Sequence, residues 1–288
     1  MQQHKPILII GMARSGTTLV SHILGSLPGV HIEVEPHALW KSGNYKHFND
    51  EEYEITPSIT KYIRKKFTED LGEKILIEKS PINTLRPDLV HAVFPDAKIV
   101  YVERDAVRCI YSNYSRSVKK DSFKMSITLK KYFLYTGSKD LSGAISDRKL
   151  FDQISLKDIP YFLYYAAKMF YLRQFSTLPF GPKLKNFMQI VKDKGLLGYH
   201  TEVYKRSLKY KERYIELYGN NLEVFRMENI MADPEEIKRL VKFVEMPYSE
   251  KWSEDIRKTF SQERVTKSVK KRSEDMEIEA LLVEPGVI

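Results

Sequence analysis

The sequence predicts an α/β fold in which helices cover both faces of a central parallel sheet. Three observations lead to this prediction: short β-branched runs recur along the chain, most are continuously apolar, and helix-like stretches lie between them. A continuously apolar strand is typical of a sheet buried on both faces, as parallel sheets are. Strands that alternate with helices indicate βαβ units.

Five strands are predicted, at Ile7–Ile10, Val30–Val34, Lys74–Ile77, Lys98–Val102 and Leu222–Phe225. Helices are predicted after the first, third and fourth strands, at Thr17–Leu27, Thr84–Phe94 and Ala106–Val118. A later helix is expected to run from Pro234 to about Glu245 with Asp233 as its N-cap. Aspartate is a favoured N-cap, and proline is favoured at the first helical position.

The strand pattern stops between about Lys119 and Arg213. We expect residues 119–215 to form a helical elaboration of a single domain that spans residues 1–288. Within it, Tyr161–Leu172 is apolar nearly all round and predicts a buried helix. This stretch is too short to span a membrane, which takes about 20 residues.

Composition narrows the class of protein. The 288-residue chain has one cysteine, which excludes a disulfide framework and a Cys-rich zinc site. No metal-binding motif is visible, so no metal is expected. The apolar run that starts directly after Met1–Lys5 leaves no room for a signal peptide. We therefore expect a soluble, cytoplasmic protein without a transmembrane segment, the alternative being the lumenal catalytic fragment of a trimmed membrane enzyme.

The chain is basic, and the excess charge is concentrated. The 47 basic and 38 acidic residues give a net charge of +9, and residues 119–215 alone carry 20 basic and 8 acidic side chains. Basic residues interleaved with aromatic ones suggest an anionic partner such as nucleic acid, an anionic glycan or a membrane surface. A solvated helical face above packed Tyr and Phe side chains explains the pattern equally well.

The segment from Gly11 to Thr18 is the most informative. It lies between an apolar strand and a helix, and its two glycines stand five apart. Such a loop turns backbone N–H groups and a helix N-terminus toward a phosphate. The spacing matches the Walker pattern, but Thr17 stands where the lysine that reaches the β- and γ-phosphates belongs. The sequence therefore predicts a P-loop-like three-layer fold without ATP or GTP hydrolysis.

A second group of polar residues follows the fourth strand. Arg104 comes at the strand end, and Arg108, Ser112 and Arg116 then recur at i, i+4 and i+8 on one helix face. Guanidinium groups with a hydroxyl can clamp a second phosphate. On spacing alone, a solvated basic helix face is the alternative.

The two groups together resemble the sulfotransferases that use 3′-phosphoadenosine 5′-phosphosulfate (PAPS). Arg14, Ser15, Gly16, Thr17 and Thr18 look like their 5′-phosphosulfate loop. Arg104 and Ser112, with Arg116 one turn further on, look like their 3′-phosphate motif. The stretch 224–234 is also similar to a late segment of the family, although Met227 replaces its tyrosine. About residues 5–118 and 200–248 share the resemblance.

The resemblance implies in-line sulfuryl transfer to an acceptor, with Arg14 and Lys79 as the cations near the transferred group. The histidine that hormone- and phenol-type relatives carry two residues after this lysine is replaced by Pro81. Relatives that act on protein tyrosines and glycans use a glutamate after the second strand, and Glu35 matches its spacing, 21 residues after Arg14. Glu35 is therefore the expected base, with a pKa raised by burial, and His37 is the runner-up.

These observations favour a PAPS-dependent sulfotransferase of the EC 2.8.2 type. The alternatives are a P-loop-type nucleotide kinase and a basic nucleic-acid-binding protein. The expected partner is an anionic acceptor (a glycan, a peptide or a small molecule), and no nucleic acid. Cys109 is expected to be a small buried residue, and the late basic residues Lys267, Lys270, Lys271 and Arg272 are candidates to cover the 3′-phosphate.

Overall fold

The computed structural model describes residues 5–69, 71–118, 153–175, 178–259 and 273–283. These residues contain a five-stranded sheet in the order β2-β3-β1-β4-β5, and every neighbouring pair is parallel. Its strands are β1 (Ile7–Ile10), β2 (Val30–Val34), β3 (Ile75–Lys79), β4 (Lys98–Glu103) and β5 (Leu222–Arg226). The predicted parallel α/β fold is confirmed.

Eleven α-helices connect and cover the strands of the described segments. They are α1 (Thr17–Gly25), α2 (His37–Trp40), α3 (Pro57–Thr68), α4 (Pro87–Val93), α5 (Ala106–Val118), α6 (Ile159–Phe175), α7 (Phe187–Tyr218), α8 (Met227–Ala232), α9 (Pro234–Phe243), α10 (Glu250–Thr259) and α11 (Ser273–Val283). The Asp233 cap is confirmed, because its carboxylate accepts a hydrogen bond from the Glu235 N–H at 2.9 Å.

Side chains alternate across the strands and supply two cores. On one face Ile9, Val100 and Phe225 pack with α1 and α9. On the other, Leu8 and Ile99 pack with α2, α3, α4 and the last turns of α7. Burial on both faces explains why the strands are continuously apolar. Strand β1 lies in the middle, between β3 and β4, so the loop after it opens where ligands bind in such sheets.

A third core joins the helical elaboration to the carboxyl ends of the strands. In it Met12 and Cys109 contact Leu172 of α6 and Tyr199 of α7. Helix α7 is broken at Gly195, where φ is 68° and ψ −179°. That residues 1–288 make one domain stays a prediction.

Three details differ from the sequence predictions. Strand β3 begins at Ile75 and continues through Glu78 and Lys79, because pairing with β1 and β2 extends past the apolar run. A 3-10 turn, Pro81–Leu85, occupies the start of the helix predicted at Thr84–Phe94. The prediction that Tyr161–Leu172 is buried was wrong: α6 packs against Tyr45 and Phe48, but Leu163 is 57% exposed, and Tyr164 is 60% exposed although its ring contacts Phe48.

None of the described helices combines the length and the apolar character that crossing a bilayer requires. The described residues also contain no group of three or more His, Cys, Asp or Glu side chains placed to hold a metal ion.

Candidate active site

The glycine loop follows β1 and has an unusual backbone. Gly11, Arg14 and Gly16 all have positive φ values, of 157°, 70° and 107°. The Ser15 N–H donates to the Met12 carbonyl at 3.0 Å and closes the turn. A Cβ on Gly11 would lie 2.5 Å from the Val102 carbonyl oxygen, so only glycine fits there.

The start of α1 offers free polar groups for an anion. Its N-cap residue, Gly16, makes no side-chain cap, so the amides of the first turn, including those of Thr17 and Thr18, have no side-chain acceptor there. The Ser15 hydroxyl is buried and has no hydrogen-bond partner among the described residues. An unpartnered buried hydroxyl beside a helix N-terminus fits a bound phosphate-like group.

The predicted second group of polar residues lies against the loop. The Arg14 Nε donates to the Ser112 hydroxyl at 3.0 Å, and the Arg104 Nη1 donates to the Arg14 carbonyl at 3.0 Å. Burial, followed by repulsion from Arg104 and Arg116, lowers the pKa of Arg14. Arg104 and Arg116 therefore lie close enough to Arg14 to repel its charge, and of the three guanidinium groups Arg14 contacts the Ser112 hydroxyl.

Two residues without a predicted binding role hold this geometry. The Asn113 amide donates to the Ala13 carbonyl at 2.7 Å, and the Cys109 thiol points at the same oxygen at 3.6 Å. Cys109 is buried as predicted, and burial raises its pKa to about 12. Helix α5 is thereby fixed to the glycine loop.

Glu35 and Lys79 meet on the other side of the loop. The buried Lys79 ammonium donates to Glu35 Oε1 at 2.7 Å, while the Glu35 carboxylate stays 32% exposed. The Glu35 N–H donates to the Lys79 carbonyl at 2.8 Å, and His37 Nε2 lies 3.4 Å from Glu35 Oε2. Lys79 is the register partner of Ile9, two residues before Gly11. The structure thus brings Glu35 to the cation predicted from sequence, and His37 to Glu35.

The expectation that burial raises the pKa of Glu35 was wrong. Burial does act in that direction, but the hydrogen bond with His37 and the charge of Lys79 outweigh it. The net effect holds the pKa of Glu35 well below its ordinary value. The sequence could not show this, because the outcome depends on which side chains reach the carboxylate.

A cavity of about 410 Å³ adjoins the arginine cluster at the carboxyl ends of β4 and β5. Arg104, Tyr204, Arg226, Glu228 and Asn229 are among its lining residues. Glu228 Oε1 accepts a hydrogen bond from the Asp105 N–H at 3.2 Å, which ties the two walls together. The lining of this cavity thus combines charges of both signs beside the two candidate anion sites.

Comparison with known proteins identifies the family. A model of the sulfotransferase family matches residues 6–162, more than half of the chain. The chain belongs to the sulfotransferase family. An uncharacterized protein of Aquifex aeolicus (strain VF5) is 29% identical over 130 residues, which cover 39% of this chain and 17% of that protein. The matched part of this chain therefore spans less than a fifth of the length of the curated relative that it matches.

Solved sulfotransferases resemble this one over nearly its whole length, but distantly. A mouse sulfotransferase complexed with PAP is 12% identical, with a TM-score of 0.45, and the match covers 98% of this chain and 73% of that one. A sulfotransferase from Alicyclobacillus acidocaldarius is 16% identical, with a TM-score of 0.43 and coverage of 97% and 96%. A likeness this distant does not assign a role to any residue of this chain.

Some of the cations in the basic segment, residues 119–215, form ion pairs with acids of the same protein. Four described ion pairs join it to acids elsewhere: Lys185 to Glu52, Arg206 to Glu51, Lys211 to Glu103 and Arg213 to Asp88. Other cations of the segment, such as Lys192 and Lys209, are exposed. Lys267, Lys270, Lys271 and Arg272 lie outside the described residues.

Sequence reasoning missed Asn113, Tyr204 and Glu228. Asn113 lies on the buried face of α5, one residue after Ser112, and its contact with the loop carbonyl depends on how the helix docks. Glu228 directly follows Met227 in a stretch that the resemblance had marked, and this position was the available signal.

Proposed function

We propose that the protein transfers a sulfuryl group from PAPS to a hydroxyl or amine of an acceptor, as an enzyme of the EC 2.8.2 type. The observation that carries this proposal is that Arg104 and Arg116 lie near Arg14, which contacts Ser112, beside a glycine loop with Thr17 in place of the lysine. Like charges gathered at one place favour an anion between them. Two anion sites without a lysine for a γ-phosphate fit PAPS better than ATP.

In this proposal, different groups of residues bind different parts of the PAPS molecule. The amides of residues 16–18 and the free Ser15 hydroxyl receive the 5′-phosphosulfate. Arg104, Ser112 and Arg116 receive the 3′-phosphate, and the 410 Å³ cavity receives the nucleoside. Arg14 lies between the two sites and can serve both.

Glu35 accepts the acceptor's proton as the acceptor oxygen or nitrogen attacks sulfur and the bond from sulfur to the 5′-phosphate oxygen breaks. Lys79 and Arg14 stabilise the charge that develops on the departing phosphate, and such preorganised charge is usually the largest catalytic contribution. Because Lys79 holds the Glu35 carboxylate before reaction, its turn toward the departing oxygen releases Glu35 to act as a stronger base.

Thermal unfolding with 3′,5′-diphosphoadenosine (PAP) tests the donor site. PAP at about 100 times its Kd should stabilise the protein by roughly 2.7 kcal/mol without magnesium. Arg104→Ala and Ser112→Ala should each weaken PAP binding by about ten- to a hundredfold, because each removes a bond to a charged group. Lys192→Ala, an exposed cation on α7, is the charge-matched control. No stabilisation of the wild type by millimolar PAP contradicts the proposal.

Two alternatives give different outcomes in the same measurement. A P-loop-type kinase should respond to ATP with Mg²⁺ and not to PAP. A basic nucleic-acid-binding protein should respond to oligonucleotides with a steep salt dependence. The family match favours the sulfotransferase over both.

The base is tested by Glu35→Gln, which cannot accept the proton. Turnover of radiolabelled PAPS should fall at least about a hundredfold, the usual cost of losing a general base, with PAP affinity unchanged. A variant that keeps more than about a tenth of the wild-type rate removes Glu35 from this role.

We propose that the acceptor is anionic, because the basic segment has exposed cations in addition to those that form internal ion pairs. Its KM should rise steeply with salt, because exposed charges are screened, while the KM for PAPS changes less. Equal responses of the two KM values contradict an anionic acceptor.

We place the enzyme in the cytoplasm as part of this proposal, on the single buried cysteine. Cell fractionation checks this, and recovery in a membrane or lumenal fraction contradicts it.

A further inference from the structure

Two acidic residues are buried side by side next to the candidate site. Glu33 on β2 and Glu78 on β3 are register partners, and both are 0% exposed. Partners in neighbouring parallel strands direct their side chains to the same face of the sheet. Two carboxylates so placed cannot easily both be ionised, since each charge opposes the other and burial opposes both.

Glu33 and Glu78 differ in the groups that contact their carboxylates. His31 Nε2 lies 3.1 Å from Glu33 Oε1 and can support its charge. The Trp40 indole donates to Glu78 Oε1 at 2.8 Å, and the Asn83 amide lies 3.4 Å from Glu78 Oε2. Burial raises the pKa of Glu78 to about 7, and the charge of Glu33 adds to this.

Other charged or titratable groups of the described residues also act on Glu78. Lys79 favours its ionised form. Tyr214 of α7 lies within electrostatic range of Glu78, and its hydroxyl donates to the Asn83 carbonyl at 2.7 Å. Arg86, 3.4 Å from the Trp40 carbonyl, is already paired with Asp50. None of these contacts supplies a cation hydrogen-bonded to the Glu78 carboxyl.

Glu78 and Lys79 are consecutive on β3, and their side chains contact the two ends of the segment 35–40. Lys79 binds the Glu35 carboxylate at 2.7 Å, and Glu78 binds Trp40, the last residue of α2. Trp40 is fully buried against Phe67 and Phe94, at ring distances of 5.4 and 6.2 Å. A displacement of Trp40 therefore moves the segment that carries Glu35 and His37.

We propose that Glu33 and Glu78 together carry one negative charge, with Glu78 as the protonated member, and that Glu78 is a positioning residue that fixes residues 35–40 through Trp40. The positioning role in catalysis rests on the proposed function of Glu35. The shared charge and the hold on Trp40 do not, so they are measured without turnover.

Tryptophan fluorescence tests the protonation. Trp40 and Trp252 are the chain's two tryptophans, so Trp252→Phe leaves Trp40 as the reporter. Its emission should change in one step with a midpoint near pH 7, as the carboxyl that accepts the indole N–H ionises. Glu78→Gln should abolish the step, and Glu33→Gln should move it to lower pH by removing the like charge. Glu216→Gln, at an exposed acid on α7, is the control and should leave the step in place.

Hydrogen exchange tests the positioning. Glu78→Leu removes the acceptor for the indole, whereas Glu78→Gln keeps one. Exchange at amides of residues 37–42 should become about tenfold faster or more in Glu78→Leu, as expected for the loss of a buried hydrogen bond, and stay near the wild-type rate in Glu78→Gln. The kcat for sulfuryl transfer should fall in the first variant and recover in the second, with PAP affinity unchanged in both.

A fluorescence step that persists in Glu78→Gln, or that Glu33→Gln does not move, overturns the shared charge. Equal exchange in Glu78→Leu and the wild type overturns the positioning. A fluorescence step and an exchange effect in a protein that does not bind PAP support the inference while the proposed function fails.

Discussion

The Glu35 carboxylate is held in place from three directions. Its backbone adopts a positive φ of 53°, its N–H donates to Lys79, and its side chain contacts both Lys79 and His37. A non-glycine residue in the left-handed region costs of order 1–3 kcal/mol and is typically found at functional sites. The conformation turns Glu35 out of the strand ladder, so that Glu33 and Glu35, two apart in sequence, have different surroundings.

The His37→Ala variant separates the two candidate bases. If Glu35 is the base, the variant should stay active, but the acid limb of kcat/KM should move to higher pH. The reason is that the His37 hydrogen bond helps to hold the pKa of Glu35 below its ordinary value, and its loss makes the carboxylate protonate earlier. The pH profile of residual activity measures this. His47→Ala, in the loop after α2, is the control, and loss of all activity in His37→Ala alone assigns the base to His37.

Residue types could be predicted at these positions, but their partners could not. The cations Arg14, Arg104 and Lys79 follow from strand ends and loop spacing, which the sequence displays directly. The pairing of Lys79 with Glu35 brings together residues 44 apart and depends on β2 and β3 being neighbours. The same holds for Trp40 and Glu78, since neither residue has a sequence pattern that indicates the other.

Among the secondary-structure elements, the glycine loop depends on α8 as well as on its own sequence. A Cβ on Gly16 would lie 2.5 Å from the Met227 sulfur, so the first turn of α8 closes directly over the loop. Met227 stands where the family resemblance led us to expect tyrosine. The departure therefore places a flexible thioether against the candidate anion site.

Gly16→Ala should destabilise the fold and weaken PAP binding. Its φ of 107° strains any side chain by of order 1–3 kcal/mol, and the overlap with Met227 adds to this. Gly29→Ala is the matched control, because its φ of 73° is also positive but its Cβ would meet nothing within 4 Å. Urea unfolding and PAP titration should show a larger loss in Gly16→Ala, partly recovered by adding Met227→Ala. Equal losses in the two single variants contradict this account.

The local sequence pattern was enough to predict where the strands lie, but not where β3 ends or how exposed α6 is. All five strands were identified, most of them from the continuous apolar run that burial on both faces of the sheet requires. The end of β3 was missed because Glu78 and Lys79 break that run, yet backbone pairing with β1 and β2 does not depend on side-chain polarity. The exposure of α6 was missed because an apolar helix does not show which of its sides finds a partner.

For the molecule as a whole, the basic residues behind the net charge of +9 divide into cations that form internal ion pairs and cations that stay exposed. Acids at residues 50–52 receive Arg86, Lys185 and Arg206, which lie far apart in the sequence. These pairs connect the loop after α2 to Arg86 before α4, to Lys185 before α7 and to Arg206 on α7. A segment count of charges could not separate such internal pairs from cations left for an acceptor.

Buried acids also set how stability depends on pH. Around Asp50, burial acts to raise the pKa, but Arg86 and Lys41 outweigh it and hold the pKa at about 2. Asp50 therefore contributes stability that is present above its ordinary pKa and is lost as the pH falls toward 2. Glu78 acts in the opposite direction, since its pKa is raised in the folded protein. The two effects together predict greatest stability in mildly acidic solution.

Glu78→Gln should therefore stabilise the protein at pH 8 and much less at pH 5, relative to the wild type. Between the ordinary pKa of 4.5 and about 7 the folded Glu78 binds a proton that the unfolded chain has released, so the free energy of unfolding falls as the pH rises through this window. At about 1.4 kcal/mol per pKa unit the loss amounts to about 3 kcal/mol, which the glutamine variant does not suffer. Urea unfolding at the two pH values measures the difference, with Glu216→Gln as the exposed control. A difference that does not grow with pH would show that Glu78 is ionised in the folded protein throughout this range.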